Sequence, residues 1–361
     1  MCKRVRRRRY LQQTEGFFVI RHLHRGVLFA ILTRWLIAPL RVSGQEQQTI
    51  TTPQGVELAP TADGLKTLRA KESFSNLTLQ GSDLRPRTPM SIFHESNDDF
   101  LRELVRLQWR PSDPIDMYVI RPPKVKNPPV VLYLYGYPSE LDRFRDKGFA
   151  KRIVSHGAAA VGFISARTGY RAEHHPMKET FLSELPESLA TTVHDVQLIL
   201  NYLATRGDLD TSRVGMFGQG SGGAIAILAA AVDPRLKALD LLDPWGDWPD
   251  WLAKSRFVTK AESDRYVKAD FLKPVEVLDP IRYLPNLASR ALRIQFEDDQ
   301  ISDTKDALAK LEAAAPHSAE ILHYPTGRAM YAVSSDGRLF EWIATALKSA
   351  PAAKQVAGIS H

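Results

Sequence analysis

The chain has 361 residues, 44% hydrophobic and 25% charged, with 48 Lys and Arg against 41 Asp and Glu. That composition excludes a collagen, a coiled coil and a chain disordered throughout, and the length suits one large domain with extensions. The formal charge is +7 and the isoelectric point about 9.4, so whether nucleic acid is a plausible partner depends on where the basic charge lies.

Ten cations fall within residues 1–44 (Lys3, Arg4, Arg6, Arg7, Arg8, Arg9, Arg21, Arg25, Arg34 and Arg41) against Glu15 alone, a net +9. The remainder holds 38 basic and 40 acidic residues, a net −2, and calls for no nucleic acid. Residues 1–44 run from a basic start through apolar stretches at 26–33 and 35–40 to Val42-Ser43-Gly44. This is the order of a secretory signal peptide. Arg34 splits the apolar part, and neither half approaches the ~20 residues of a membrane span, so none is expected in the mature chain. The expected location is periplasmic or secreted. The alternatives are a cytoplasmic protein with a basic arm, or an interfacial anchor, and the long n-region leaves the start codon open. The single cysteine, Cys2, sits in this leader. A chain processed near Gln45 therefore has no disulfide, no thiol nucleophile and no Cys-bearing zinc site.

From 45 to 97 the chain is rich in Pro, Thr and Ser, and reads as a surface-wrapping extension with a helical piece at 64–71. Strand patterns follow at 104–109 and 116–121, joined by the turn Arg110-Pro111-Ser112-Asp113-Pro114. Residues 130–135 form a continuous apolar run, as a strand covered on both faces of a parallel sheet requires. Next come a helix at 149–155, a strand at 160–164 and an amphipathic helix at 187–204. Its Leu189, Val193, Val196, Leu200 and Leu203 make one apolar stripe. A strand at 213–218, a glycine-rich turn, a helix at 224–232 and a strand at 238–242 precede a Trp-rich insertion over 244–290. The domain closes with a strand at 292–296, a helix at 304–314, a strand at 319–324 and a helix at 339–347, before a tail at 351–361. Alternating βα units across 98–350 imply a mostly parallel central sheet with helices on both faces.

The most informative segment runs from Arg213 to Ala224 (RVGMFGQGSGGA), where a strand ends in a cluster of glycines and a small-residue helix starts at once. It resembles the nucleophile elbow, G-x-S-x-G, of the α/β-hydrolase superfamily, and the element order over residues 100–350 is similar to that superfamily as well. The resemblance implies an α/β-hydrolase fold with a short helical insertion after the sixth strand. Setting Gly218, Gly222 and Gly223 on the family glycines puts Gly220 at the nucleophile position. Ser221 then falls at the next residue, whose N–H serves the oxyanion hole. A shifted register makes Ser221 the nucleophile, but places Gln219 where the turn wants a small residue. Glycine offers no nucleophile.

After the last strand, Tyr324-Pro325-Thr326-Gly327-Arg328-Ala329 resembles the family's histidine-bearing stretch, with Arg328 at the His position. An arginine stays protonated and accepts no proton. Glu297-Asp298-Asp299-Gln300 corresponds to the acid-bearing loop, with Asp299 preferred to Asp298 and set to pair with Arg328. Leu134-Tyr135-Gly136-Tyr137-Pro138 resembles the oxyanion loop, with Tyr135 in place of the usual His.

Other features weigh less. The glycine turn lacks the Lys-Ser/Thr of a phosphate-binding loop. His174, His175 and Glu179 have poor metal spacing, and no metal or cofactor is expected. His194 falls beside the apolar stripe and reads as a satisfied packing residue. Residues 254–273 read as a solvated charged stretch. Trp245, Trp248 and Trp251 are either core, or line an apolar pocket with Tyr135, Tyr137 and Phe163. The expectation is a pseudo-hydrolase with a degenerate triad that binds a small acyl or carbonyl ligand through Tyr135, Gly136, Tyr137, Ser221 and Trp245. The alternatives are an active ester- or amide-cleaving enzyme using Ser221 or an unrecognised base, and a non-enzymatic interaction scaffold.

Overall fold

In the computed structural model the described residues run from Glu72 to Ser349, with breaks at 74–75, 80–81, 83, 85–87, 111–112, 138–140, 175–178 and 299–304. The described residues all belong to one unit of the chain, Ala59–His361. The leader at 1–44, the helical piece at 64–71 and the tail at 351–361 lie outside them.

Among the described residues, strands β1 (Met90–Ser96), β2 (Leu101–Arg110), β3 (Asp113–Arg121), β4 (Pro129–Leu134), β5 (Ala159–Gly162), β6 (Asp210–Gln219), β7 (Leu236–Leu242), β8 (Ala291–Glu297) and β9 (Glu320–Tyr324) form one sheet. Its order is β1-β2-β3-β5-β4-β6-β7-β8-β9. β1, β2 and β3 join antiparallel, as does β3 to β5, and every pairing from β5 to β9 is parallel. The connections carry α1 (Lys147–Ile153), a one-turn helix Tyr170–His174, α2 (Leu185–Leu203), α3 (Ser221–Val232), α4 (Trp248–Lys254), α5 (Lys260–Tyr266), α6 (Ala269–Glu276), α7 (Lys305–Ala314), α8 (Gly327–Ser335) and α9 (Arg338–Ser349).

Every residue of β4 is buried, as its unbroken apolar sequence requires, and successive side chains enter different cores. Val130, Leu132 and Leu134 join Val193 and Val196 of α2 and Ile225 and Leu228 of α3. Val131 and Tyr133 join Ile153 of α1 and Phe340 and Ile343 of α9. Helices therefore cover both faces of the sheet. Because β4, β6, β7 and β8 are parallel, their C-terminal ends share one edge, where a site is to be sought.

Three elements depart from the sequence reading. The sheet starts at Met90, inside the stretch read as an extension to 97, and the insertion consequently follows the seventh strand. Met90, Ile92 and Phe93 of this edge strand are exposed, so β1 has no alternating apolar face to announce it. The stretch after β9 is helical, with Thr326 as N-cap accepting the Ala329 N–H at 3.2 Å. Among the described residues no helix is long and apolar enough to cross a membrane.

A buried ionic network holds α2 against the β2–β3 hairpin. Asp195 is fully buried and accepts from Arg171 Nη1 at 2.8 Å, from Trp109 Nε1 at 3.1 Å and from Arg110. Arg171 in turn grips both oxygens of Asp113, at 2.8 and 2.6 Å. Burial pushes the Asp195 carboxyl up, but Arg110 and Arg171 outweigh it and hold it below the usual carboxylate range. A depressed carboxylate contributes stability that is complete above its unfolded value, about 4, and is lost as pH falls through its folded one. Removing the carboxylate takes from Arg110 and Arg171 the buried partner they share, leaving each with one other carboxylate, Glu72 and Asp113, and leaves Trp109 Nε1 without its acceptor. Asp195→Ala is expected to lower unfolding free energy by about 3–5 kcal/mol in urea titrations near neutral pH.

Candidate active site

β6 ends at Gln219, and Gly220 then takes φ 54° and ψ −120° before Ser221 opens α3. That positive φ favours glycine. The crowding behind the turn is severe: a Cβ on Gly222 would stand 2.1 Å from the Leu134 carbonyl oxygen. A Cβ on Gly218 would stand 2.4 Å from the Gly222 carbonyl oxygen, so helix and strands meet backbone to backbone. Hydrogen bonds pin the turn to β7 and the loop beyond it. Gly220 N–H donates to the Leu242 carbonyl at 2.9 Å, and the Gly220 carbonyl accepts from Trp245 N–H at 3.1 Å.

Gly136 and Tyr137, leaving β4, lie directly against this elbow. A Cβ on Gly136 would be 3.1 Å from the Gln219 carbonyl oxygen. The Tyr137 N–H donates to Ser221 Oγ at 2.9 Å, so the serine hydroxyl occupies a donor that the resemblance assigns to the oxyanion hole. Ser221 is buried, and as the first residue of α3 its own N–H has no intrahelical acceptor. The Tyr137 ring stacks on Phe181 with centroids 3.8 Å apart.

The insertion supplies a covering aromatic set. A Cβ on Gly220 would be 3.1 Å from Trp245 Nε1, so the indole stands where a side chain at the elbow would emerge. Trp245 packs on Trp251 and Phe257 at centroid distances of 4.5 and 5.8 Å. Trp248 is fully buried and donates from Nε1 to the Leu278 carbonyl at 3.0 Å. Asp279 accepts the Asp247 and Trp248 N–H groups at 3.1 and 3.0 Å and so orients α4.

The structure thus brings Gly136, Tyr137, Gly220, Ser221 and Trp245 together, and leaves other expected residues apart. Tyr135 belongs to the opposite core, against Phe144 and Phe217, with the Arg143 guanidinium 3.5 Å above its ring. The alternation along β4 and into its exit puts Tyr135 there, so it does not converge with Trp245. Burial raises the Tyr135 hydroxyl, with Arg143 opposing, and burial raises that of Tyr137, so neither is a base at neutral pH. Arg328 is exposed in the first turn of α8 and ion-pairs with no described residue.

Asp299 lies outside the described residues, and its pairing with Arg328 with it. Asp298 places Oδ1 3.2 Å from His323 Nδ1. Among the histidines whose side chains are described, none contacts Ser221. His156 bonds the Gly337 carbonyl, His194 bonds Glu72 and Asn76, and His323 faces Asp298 and Glu312.

Two further residues stand at this edge. Asp243 follows β7 at φ 43°, buried, and accepts the Glu297 N–H at 2.8 Å. Its signal was an Asp-Pro pair directly after an apolar strand. Phe181 enters from the segment before α2, and nothing local marks it.

Gly220 and Trp245 fit each other, and this is measurable. Gly220→Ser is expected to cost about 1–3 kcal/mol in thermal or urea unfolding, from positive φ and crowding by the indole. Trp245→Phe should cost less in that background than alone, which a double-mutant cycle reads directly.

No protein-family model matches the chain. The Bacillus subtilis (strain 168) protein named "Putative hydrolase YtaP" is 26% identical over 175 residues, covering 43% of this chain. The match spans 58% of that relative's length. Among solved structures, an acetyl xylan esterase from Paenibacillus sp. R4 superposes with a TM-score of 0.55 at 16% identity, over 78% of this chain and 96% of that one. An S-formylglutathione hydrolase from Agrobacterium tumefaciens gives 0.51 at 16% identity, over 71% of this chain and 99% of that one. At such identities the likeness concerns architecture, and it agrees with the mostly parallel sheet covered by helices described above. The chain has the α/β-hydrolase fold.

Proposed function

We propose that this protein is a pseudo-hydrolase that binds a small acyl or carbonyl compound at the elbow and forms no covalent intermediate there. The observation that carries the reading is Gly220, at φ 54° and ψ −120°, where the elbow pattern calls for serine. The donors around it remain. Ser221 N–H sits at the positive end of the twelve-residue α3, next to the Ser221 hydroxyl and the Tyr137 N–H. A carbonyl or carboxylate oxygen suits that set, once the Ser221 hydroxyl turns off the Tyr137 N–H. Tyr137, Phe181 and Trp245 offer aromatic surface to the apolar part of such a ligand.

A second reading is ester hydrolysis, supported by the names of the relative and of the structural neighbours, all hydrolases or esterases. It requires Ser221 to react with help from a base other than the described histidines. Residual acceleration of about 10³–10⁴-fold survives triad loss in other enzymes, so slow turnover alone does not separate the two. The dependence on Ser221 does.

Short-chain aryl esters are assayed with the wild-type protein, Ser221→Ala, and Gly220→Ser/Arg328→His. The expected result is that any slow wild-type rate persists in Ser221→Ala without a burst. Loss of at least tenfold in Ser221→Ala establishes the enzymatic reading instead. We also propose export through the leader, and expect N-terminal sequencing of the mature protein to begin near Gln45.

A further inference from the structure

A cavity of about 620 Å³ opens at the same edge of the sheet as the elbow, and none of the residues gathered at the elbow lines it. Its floor comes from the β2–β3 hairpin. Leu104 of β2 stands opposite Tyr118 of β3, and Asp116 precedes Tyr118 by two residues, so these side chains share one face of the sheet. Tyr118 pairs with Gly162, the last residue of β5, which fixes the cavity to the edge where the parallel strands finish. Ile164 and Tyr170 enter from the stretch after β5, and Leu141, Asp142 and Arg145 from the stretch after β4. The Asp142 and Arg145 side chains are exposed and form the rim.

Tyr118 is 6% exposed, with Phe144 stacked on its ring at a centroid distance of 6.4 Å, yet its hydroxyl has no hydrogen-bond partner among the described residues. A buried hydroxyl without a partner costs free energy until something answers it. Tyr170 accepts the Asp116 N–H on its hydroxyl oxygen at 2.6 Å, which leaves its own proton to donate. Burial raises both hydroxyls, against Arg145 at Tyr118 and Arg171 at Tyr170, so both stay protonated at neutral pH. Arg106 grips Asp116 through both carboxylate oxygens, at 2.6 and 2.8 Å, and each oxygen keeps a lone pair for a further donor. At the rim Arg145 pairs with Asp142 at 3.2 Å. Two carboxylates thus meet two guanidinium groups, and the charges around the cavity balance.

We propose that this cavity is a binding site separate from the elbow, for a small neutral polyhydroxy compound such as a single sugar ring, with Tyr118 and Tyr170 as donors and Asp116 as acceptor. A cationic ligand finds no unbalanced carboxylate there, and an anionic one no unbalanced cation. A hydrocarbon leaves the Tyr118 and Tyr170 hydroxyls unanswered in a place closed to bulk water. Hydroxyl groups suit the arrangement because donors and an acceptor stand side by side. Tyr118 lies two residues along β3 from Asp116, and the Tyr170 hydroxyl touches the Asp116 N–H. One ligand oxygen can accept from a tyrosine and donate to the carboxylate, whereas an amide needs two atoms to do both. The carbon skeleton between such hydroxyls rests on Leu104, Leu141 and Ile164.

The test is saturation-transfer NMR of the full chain with glucose, xylose and myo-inositol, set against gluconate, glucosamine and cyclohexanol as charged and singly hydroxylated contrasts. A neutral polyol is expected to bind in preference to all of the contrasts. Tyr118→Phe, which removes the hydroxyl alone, should weaken that binding roughly tenfold or more. Its melting temperature in the absence of polyol should stay level or rise, because the hydroxyl has no partner in the fold to lose. Leu104→Trp, which fills the cavity from its floor, should abolish the binding and decides the matter if Tyr118→Phe does not fold. Saturation of none of the polyols, preference for a contrast compound, or polyol binding that survives these substitutions overturns the proposal.

Discussion

A Cβ on Gly222 would stand 2.1 Å from the Leu134 carbonyl oxygen, and the whole site follows from how closely α3 is drawn onto β4 at that point. Such an approach forces the chain to reverse within one residue at Gly220. It sets the positive end of α3 at the edge where β4, β6 and β7 all finish. Gly136 and Tyr137 from β4 and Trp245 from the β7 exit arrive at the same edge because the strands are parallel. In the superfamily pattern the strained residue of this turn is the serine that reacts. With glycine there, the turn keeps its shape at little conformational cost, and residue 220 itself supplies no nucleophile. The indole of Trp245 closes over the place a side chain would take, so elbow and insertion are adapted to each other.

Around the elbow the polar groups include backbone N–H groups, the Ser221 hydroxyl and the buried Asp243 carboxylate, set among aromatic rings. The strong ion pairs lie under α2 and the β2–β3 hairpin, and include three carboxylates and two arginines away from the elbow edge. A second buried pair, Arg293 with Asp240, spans β7 and β8 under Trp342. These pairs position elements, and the surplus positive charge of the chain belongs to residues 1–44.

Much of this was legible in the sequence wherever burial on a regular element imposes a pattern. β4 is readable because both faces are covered, and α2 because Leu189, Val193, Val196 and Leu200 repeat at helical spacing. The elbow is readable because only glycine tolerates the crowding at 218 and 222. β1 is not readable, since an edge strand with Met90, Ile92 and Phe93 exposed has no core face to alternate with. α8 hides because its cap, Thr326-Gly327, has the composition of a loop. Motif alone places Tyr135 at the site, whereas the two-residue alternation of β4 carries its ring to the far core. The network around Asp195 is built from residues 72, 109, 110, 113, 171 and 194, and no local signal joins positions so far apart.

On the proposed reading the elbow of this fold performs no covalent chemistry, and trapping tests this without reference to any chosen substrate. A fluorophosphonate adds to an activated serine and leaves a stable mass increment on the protein. No change is expected in the intact mass of the wild-type protein after prolonged incubation. An adduct mapped to Ser221 would contradict it.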